Sequence, residues 1–308
     1  MTLLAREELA RAAPGRPSAV TVGVFDGVHR GHVHIIEHVK ERARELGLAS
    51  GVITLHPDPV QVLRPDQPIA YLTSLEERIE LLRATEVDFV APLTFTSDVA
   101  ELSAREFVEL LVSELQMRLI LMGPDHAFGR GREGTPERLR ELGAELGFAV
   151  EMLPEPLRAS SGPISATAIR RALADGDMET VIHYLGRPYA LHGPVVHGAR
   201  RGKAIGFPTA NIAVAPDRAV PAFGVYVTRS YVNEVAYQSV TNVGQRPTFD
   251  AGERTVETFL LDFQGELYGR LMRVEFLHRL RPEIKFASVD DLVAQIRRDV
   301  EATREFFA

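Results

Sequence analysis

The chain has 308 residues, about two domains' worth at roughly 150 residues per domain. Its hydrophobic fraction of 45% and charged fraction of 25% are those of a folded globular protein, which excludes a disordered or fibrous chain. It contains no cysteine and carries a formal net charge of −7, which excludes disulfides, thiolate catalysis and cysteine-bound zinc and disfavours nucleic acid and anionic lipid as partners.

No run of about 18 apolar residues occurs, so the sequence predicts no transmembrane helix. The N-terminal residues carry charges where a signal peptide needs an apolar region. We therefore expect a cytoplasmic protein that binds neither membrane nor nucleic acid. The absence of a GxxxxGK[ST] motif also excludes a P-loop kinase.

Short apolar runs alternate with helical periodicity in the first half of the chain. The predicted strands are 19–25, 51–55, 87–93, 118–122 and 148–153. Predicted helices are 33–46, ended by Gly47, two that open with the capping boxes Ser74–Glu77 and Ser103–Glu106, and 164–173. Strands that alternate with helices indicate an α/β fold with a doubly wound parallel sheet.

The pattern changes near residue 185. Short β-rich runs separated by Gly, Pro, Asn and Asp follow at 191–198, 224–232, 235–243, 255–263 and 272–280. They predict a small antiparallel barrel or sandwich. The chain ends in a helix opened by Ser288 and Asp291, with Leu292, Ile296 and Val300 as its expected buried stripe. We predict two domains, 1–184 and 185–308.

A first candidate site follows the first strand, in the segment 23–32. A strand, a glycine-containing turn and a helix beginning near Gly31 form the arrangement that binds phosphate at a helix N-terminus. His29 and His32 are three residues apart and can face one side of the first turn. Two imidazoles can donate hydrogen bonds to charge that develops on a phosphate, and Gly31 would allow its close approach. The alternative is a solvated turn that happens to contain histidine.

Two further motifs in this half have weaker support. Gly129 to Gly134 matches GxGxxG, but five residues separate it from the preceding strand, so a mobile Arg/Gly loop is favoured over NAD binding. His34, Glu37 and His38 match the inverted zinc-protease pattern HxxEH, but no third ligand is evident. A solvent-facing helix surface is the favoured interpretation of that motif.

A second candidate site lies in the segment 197–212. Its loop combines glycines with basic side chains, as a phosphate cradle requires: Gly198, Arg200, Arg201, Gly202, Lys203 and Gly206. Pro208 fixes the backbone before Thr209. Thr209 and Asn211 are two apart, so an extended segment places both on one face, where their oxygens suit Mg²⁺. A surface turn is the alternative.

A carboxylate for accepting a hydroxyl proton is available in the predicted strand 255–263. Glu257 and Phe259 share a face there, which would place an acid beside an aromatic ring. A cross-strand ion pair with an arginine is the alternative for Glu257.

The motifs of both halves resemble one family. GVFDGVHRGH (23–32), YLTSLEERIELL (71–82), GPDHAFGRGREG (123–134) and ISATAIR (164–170) resemble the HxGH nucleotidyltransferases and, more narrowly, the first half of bacterial bifunctional riboflavin kinase/FAD synthetases. From about 187 to 306, with GFPTAN, TNVGQRPTF, VETFLLDF and LRPEIKF, the chain resembles the riboflavin kinase domain. The resemblance implies a Rossmann-like nucleotidyltransferase domain followed by a six-stranded antiparallel β-barrel with a C-terminal helix.

The resemblance also implies roles for individual residues. For the first domain, it implies ATP binding by His29 and His32 with Gly23, Phe25, Asp26, Gly27 and Gly31, a second phosphate clamp of Ser165, Thr167 and Arg170, and a flavin pocket with Asp125 and Phe128. For the second domain, it implies Mg²⁺ on Thr209 and Asn211, ATP on Gly198, Arg201, Gly202, Lys203, Gly206 and Pro208, flavin contacts from Asn242 and Phe259, and Glu257 as base.

The expected function is ATP- and Mg²⁺-dependent phosphorylation of riboflavin to FMN, then adenylylation of FMN to FAD. Riboflavin, FMN, FAD and ATP are the expected partners, and a weak homo-oligomer is left open. The chain departs from the family where His56 and Asp58 exchange places and where Ala166 and Ala168 replace polar residues. One lost charge-assisted contact lowers rate or affinity roughly tenfold to a hundredfold.

Three alternatives therefore stay open. The first is a riboflavin kinase whose N-terminal domain is catalytically weak or only binds nucleotide. The others are a flavin-binding regulatory protein and an adenylyltransferase for a different phosphate ester.

Overall fold

The computed structural model describes residues 3–123, 126–153, 155, 157–159, 162–197, 202, 205–245 and 254–308. The chain divides into two compact units, Met1–Ala166 and Thr167–Ala308. The sequence pattern instead placed the domain boundary at 184/185, and that boundary stays a prediction. Within the described ranges, every helix falls short of the length and apolar character needed to cross a bilayer.

The first unit contains all five strands predicted for it. In chain order its elements are α1 (Leu3–Ala12), β1 (Ser18–Gly23), α2 (Arg30–Leu46), β2 (Ala49–His56), α3 (Pro59–Leu63), α4 (Leu75–Arg83), β3 (Phe89–Thr94), α5 (Ser97–Ala100), α6 (Ala104–Leu115), β4 (Met117–Met122), a 3₁₀ turn (Arg130–Arg132), α7 (Pro136–Leu146), β5 (Ala149–Met152) and the short pair β6 (Arg158–Ala159) and β7 (Gly162–Pro163). Strands β1 to β5 form one parallel sheet in the order β3-β2-β1-β4-β5, which confirms the doubly wound prediction.

Apolar side chains cover both faces of this sheet. Val20 and Val22 of β1 belong to the core cluster that α1, α6 and α7 complete, whereas Ala19 belongs to a cluster with Val39 of α2. Successive strand residues point to opposite faces, so this alternation is what two helical layers require. The sequence signals for helix ends are also confirmed: both capping boxes form, and Gly47 ends α2 with a φ of 67°.

The strand order reverses at one place in the sheet, which is where an open α/β sheet is expected to have its ligand crevice. The chain leaves β1 toward β2 and β3, then resumes at β4 on the other side of β1. The pairing of Thr21 with Leu121 shows that β1 and β4 are in register, so their following loops leave the sheet side by side. Open α/β sheets bind ligands where the strand order reverses in this way.

The second unit is a closed barrel with helices. In chain order its elements are α8 (Ala166–Asp175, whose first residue belongs to the first unit), α9 (Met178–Leu185), β8 (Tyr189–Val196), β9 (Ala210–Ile212), β10 (Gly224–Val232), β11 (Val235–Gln245), β12 (Arg254–Leu260), β13 (Leu271–Arg281) and α10 (Val289–Phe307). The six strands are antiparallel in the closed order β10-β11-β12-β9-β8-β13. Of the barrel and sandwich that the spacing left open, the structure is a barrel.

The C-terminal helix is held differently from the prediction. The apolar residues Leu292, Ile296 and Val300 are only half-buried, whereas Asp299 and Thr303 are buried. The carboxylate of Asp299 accepts hydrogen bonds from Arg281 Nε at 3.0 Å and Nη2 at 2.7 Å and from Gln295 at 2.9 Å. A charged pair therefore fixes α10 to β13.

We expect Asp299→Ala to destabilise the second unit by about 3–5 kcal/mol, because it leaves the guanidinium of Arg281 without its anion. Urea unfolding followed by circular dichroism measures the change. The exposed ion pair of Asp262 with Arg304 provides the control, and Arg304→Ala should change stability little. Equal losses of stability in the two variants would show that the buried pair of Asp299 with Arg281 contributes no more than the exposed pair.

Candidate functional sites

The loop after β1 brings His29 and His32 together as expected. His29 is the N-cap of α2, and its Nδ1 accepts a hydrogen bond from the backbone N–H of His32 at 3.2 Å. The two rings stack with centroids 3.6 Å apart. Because Nδ1 of His29 is an acceptor, the neutral ring carries its proton on Nε2 and can donate from that atom.

His32 is poised for an anionic ligand. Its Nδ1 is buried and has no hydrogen-bond partner among the residues described. Burial, followed by the positive charges of His29, Arg78 and His126, lowers the pKa of His32 well below its ordinary value. A phosphate oxygen would supply the missing partner and a negative charge in addition to that of Asp26, whose carboxylate lies 3.7 Å from Arg78.

The lowered pKa has a testable effect on stability. The unfolded chain binds a proton at His32 near pH 6.5 and the folded chain does not, so this residue lowers stability as pH falls through that range. We expect the free energy of unfolding of the unmutated protein to fall relative to that of His32→Gln between about pH 7 and pH 5. Urea titrations at both pH values measure this difference, and a constant difference would contradict the assignment.

Asp26 holds the loop in place. Its buried carboxylate accepts from the backbone N–H of Leu72 at 3.0 Å and of Thr73 at 3.1 Å, and Arg78 lies 3.7 Å away. The Thr73 hydroxyl in turn accepts from the N–H of Gly27 at 3.1 Å. The side chain of Asp26 therefore joins the β1 loop to the start of α4, and its predicted contact with ATP stays a prediction.

The glycines of this loop are needed for packing. A Cβ on Gly31 would lie 3.1 Å from the His29 ring and 3.1 Å from the carbonyl oxygen of Ile164. The close approach of phosphate predicted for Gly31 stays a prediction. A Cβ on Gly23 would lie 3.0 Å from the ring of Phe25, and Gly27 has a φ of 78°. Phe25 itself is buried with its ring edge-to-face against His32, and its predicted contact with ATP stays a prediction.

The loop after β4 contains Phe128 and the GxGxxG segment. Phe128 is half-buried against Phe107 and exchanges two backbone hydrogen bonds with Gly134. A Cβ on Gly129 would lie 2.4 Å from the nitrogen of Ala104, so this turn packs against the start of α6. It does not lead directly from a strand into a helix, as a dinucleotide fingerprint would. Asp125 lies outside the described residues.

Two other segments were singled out from the sequence of this domain, namely the predicted second phosphate clamp and the segment that departs from the family. Ser165 precedes α8, and Thr167 and Arg170 lie in its first two turns. In the segment that departs from the family, Asp58 is the N-cap of α3, where its carboxylate accepts from the N–H of Val60 at 2.9 Å. His56 is the last residue of β2.

The barrel aligns three polar side chains on neighbouring strands. Asn242 pairs with Glu257, and Glu257 pairs with Asn211, so β11, β12 and β9 present one row. Directly paired residues of antiparallel strands share a face. The hydroxyl of Thr209 makes a long contact of 3.4 Å to a carboxylate oxygen of Glu257. These predicted residues therefore come together at one site on the barrel.

The donors in this row fit a magnesium ion. Asn211 is buried, and within the described part of the chain its Oδ1 has no hydrogen-bond partner. The hydroxyl of Thr209 makes no shorter hydrogen bond than this contact to the residues that the structure describes. Both side chains therefore offer hard oxygen atoms of the kind that Mg²⁺ binds.

The segment before Thr209 is described only in part. Gly202 accepts a hydrogen bond from the N–H of Phe207 at 2.9 Å, Gly206 has a φ of 87°, and Pro208 is exposed. Phe207 meets Phe259 edge to face at 5.4 Å, which makes an aromatic wall beside Glu257. The predicted residues Gly198, Arg201 and Lys203 lie outside the described residues.

Two side chains that were not singled out from the sequence lie at these sites. His126, three residues beyond Gly123, influences the pKa of His32. Glu283 approaches the barrel row, because its Oε1 lies 2.5 Å from where a Cβ of Gly244 would be, beside Asn242. The signal for His126 is its position just after a strand of the predicted sheet, whereas Glu283 follows β13 and has no local signal.

Comparisons with known proteins cover both units. A family model described as FAD synthetase matches residues 12–168, and one described as riboflavin kinase matches residues 185–307. Relatives named bifunctional riboflavin kinase/FMN adenylyltransferase include one from Listeria monocytogenes, 37% identical over 94% of this chain and 92% of its own. Another, from Escherichia coli strain K12, is 38% identical over 96% and 94%.

The fold as a whole also has a solved counterpart. A crystal structure described as a macrolide-efflux protein from Streptococcus pneumoniae is 33% identical, with a TM-score of 0.88 over 99% of this chain and 98% of its own. That description names a different activity from the curated relatives, whose names agree with both family models. On these matches, the chain belongs to the family of bifunctional riboflavin kinases/FMN adenylyltransferases.

Proposed function

We propose that the barrel unit phosphorylates riboflavin to FMN and that the parallel-sheet unit transfers AMP from ATP to FMN, which gives FAD and pyrophosphate. Both activities belong to the family. The observation that best supports this division of labour is the aligned row of Asn211, Glu257 and Asn242 on the barrel, with the unpartnered oxygen of Asn211.

In the kinase reaction, Glu257 accepts the proton of the ribityl 5′-hydroxyl. That oxygen forms a bond to the γ-phosphorus of ATP, the bond to the β-phosphate oxygen breaks, and ADP leaves. Thr209 and Asn211 would hold the metal ion, which supplies charge neutralisation on the phosphates when bound. Phe259 and Phe207 offer apolar surface to the flavin ring beside the base.

In the adenylyl transfer, a phosphate oxygen of FMN attacks the α-phosphorus of ATP. The bond to the β-phosphate oxygen breaks, and pyrophosphate leaves with the electron pair. His29 and His32 donate hydrogen bonds to the charge that develops on the phosphate oxygens, and the dipole of α2 adds to this stabilisation. Asp26 and Thr73 keep the loop in the conformation that presents both rings.

The test is to incubate the pure chain with riboflavin, ATP and Mg²⁺ and to resolve FMN from FAD by chromatography over time. FMN should appear first and FAD should follow. Accumulation of FMN without FAD would select the alternative in which the N-terminal domain is not catalytic. Recovery of unchanged riboflavin would refute the proposal for the barrel.

The remaining expectations complete the proposal. We expect cytoplasmic location, no nucleic-acid or membrane partner, and magnesium as the ion that accompanies ATP. That the chain forms a weak homo-oligomer stays a prediction from the sequence.

A further inference from the structure

His126 lies beyond the end of the strand next to the one that leads to His29 and His32. Since Thr21 of β1 is paired with Leu121 of β4, the segments after the two strands begin on the same level of the sheet. The strand order reverses between β1 and β4, so these segments form the two walls of the crevice. The exposed imidazole of His126 therefore follows the strand beside the one that leads to His29 and His32, at the same end of the sheet.

The ring of His126 is held at this position. The backbone N–H of Gly123 donates to its Nδ1 over 3.4 Å, and three of its ring atoms lie 3.7 Å from where a Cβ of Gly123 would be. At the other end of the turn, the two hydrogen bonds between Phe128 and Gly134 anchor the chain. Because Nδ1 accepts a hydrogen bond, the proton of the neutral ring is on Nε2, which makes that atom a donor.

Basic side chains converge on the crevice from several elements. His29 and His32 come from the start of α2, Arg78 from α4 and His126 from the segment after β4. The pKa of His32 is lowered by burial first, and then by His29, Arg78 and His126. In a chain of net charge −7, these basic side chains form a local group that suits a polyanion. The phosphate oxygens of a bound triphosphate or pyrophosphate would accept hydrogen bonds from them.

We propose that His126 is a third phosphate-binding histidine of the adenylyl-transfer site, which donates from Nε2 to the triphosphate of ATP opposite His29 and His32. The inference rests on the proposed function of the N-terminal domain. His126 acts as a hydrogen-bond donor to the phosphates, so no bond to it forms or breaks. The pyrophosphate that leaves should keep this contact until it is released.

The test measures binding of inorganic pyrophosphate to the full-length chain by NMR. The ring signal of His32, assigned by its absence from His32→Gln, reports this site separately from the barrel. We expect His126→Ala to weaken pyrophosphate binding roughly tenfold to a hundredfold, as for loss of a hydrogen bond to a charged group. His126→Gln, which keeps an N–H donor, should recover most of the affinity. His34→Ala, an exposed histidine of α2, should bind like the unmutated protein.

Unchanged affinity in His126→Ala, or no shift of the His32 signal in the unmutated protein, overturns the inference. Conversion of supplied FMN to FAD is measured in parallel and should fall in the same order as the affinities. If pyrophosphate binding depends on His126 but the unmutated protein makes no FAD, the proposed function fails and the phosphate site stands.

Discussion

Replacing Glu257 by alanine is expected to abolish formation of FMN from riboflavin while supplied FMN is still converted to FAD. The carboxylate is aligned with Asn211 and Asn242 and contacts Thr209, so it is placed to accept the proton of the substrate hydroxyl. Loss of a general base typically lowers the rate about 10²- to 10⁴-fold. Initial rates of the two half-reactions, each started from its own substrate, measure the effect.

Two controls separate catalysis from folding. Glu257→Gln keeps the shape of the side chain but cannot accept the proton, so it should be nearly as inactive as alanine. Glu301→Gln on the exposed side of α10 should leave both half-reactions unchanged. Substantial riboflavin phosphorylation by Glu257→Gln would show that the residue does not act as the base, and another carboxylate such as Glu283 would then be examined.

His32→Ala is expected to stop the reaction sequence at FMN. The buried Nδ1 without a partner and the stacked His29 ring indicate that His32 contributes to phosphate binding at the start of α2. Removing one such donor from a site that stabilises developing charge lowers the turnover number about 10²- to 10³-fold. The rate of FAD formation from FMN and ATP measures this loss, and riboflavin phosphorylation should be unaffected.

His34→Ala is the matched control, because His34 lies on the same helix and is exposed. It should form FAD at the rate of the unmutated protein. If His32→Ala also forms FAD normally, the adenylyl-transfer site has to be sought elsewhere. If His34→Ala is as defective as His32→Ala, the loss reflects the stability of α2 and not a role in phosphate binding.

Local sequence signals predicted much of the fold. Apolar runs predicted β1 to β5 because a strand covered by helices on both faces must be apolar throughout. Ser74, Ser103 and Gly47 marked helix ends correctly, because capping depends only on neighbours within one turn. The pairing of His29 with His32 followed from spacing for the same reason.

Contacts between distant segments could not be predicted in this way. The spacing of the β-rich runs left a barrel and a sandwich open, since closure depends on the pairing of β9 with β8 and β12. The burial of Asp299 depends on Arg281 of another element. For Gly31, one of the two neighbours that leave little room for a side chain is Ile164, far along the chain.

The sequence by itself determined the two-part organisation, the parallel sheet, the family resemblance and the identity of the residues that could bind phosphate and magnesium. These features depend on side-chain chemistry and on periodicity over short stretches, so residues close together in the sequence are enough to predict them. Only the tertiary structure placed Asn242, Glu257 and Asn211 in one row. It also placed His126 where it contributes to lowering the pKa of His32. Strand register and loop convergence arise from hydrogen bonds and packing between segments remote in sequence, and no local pattern encodes them.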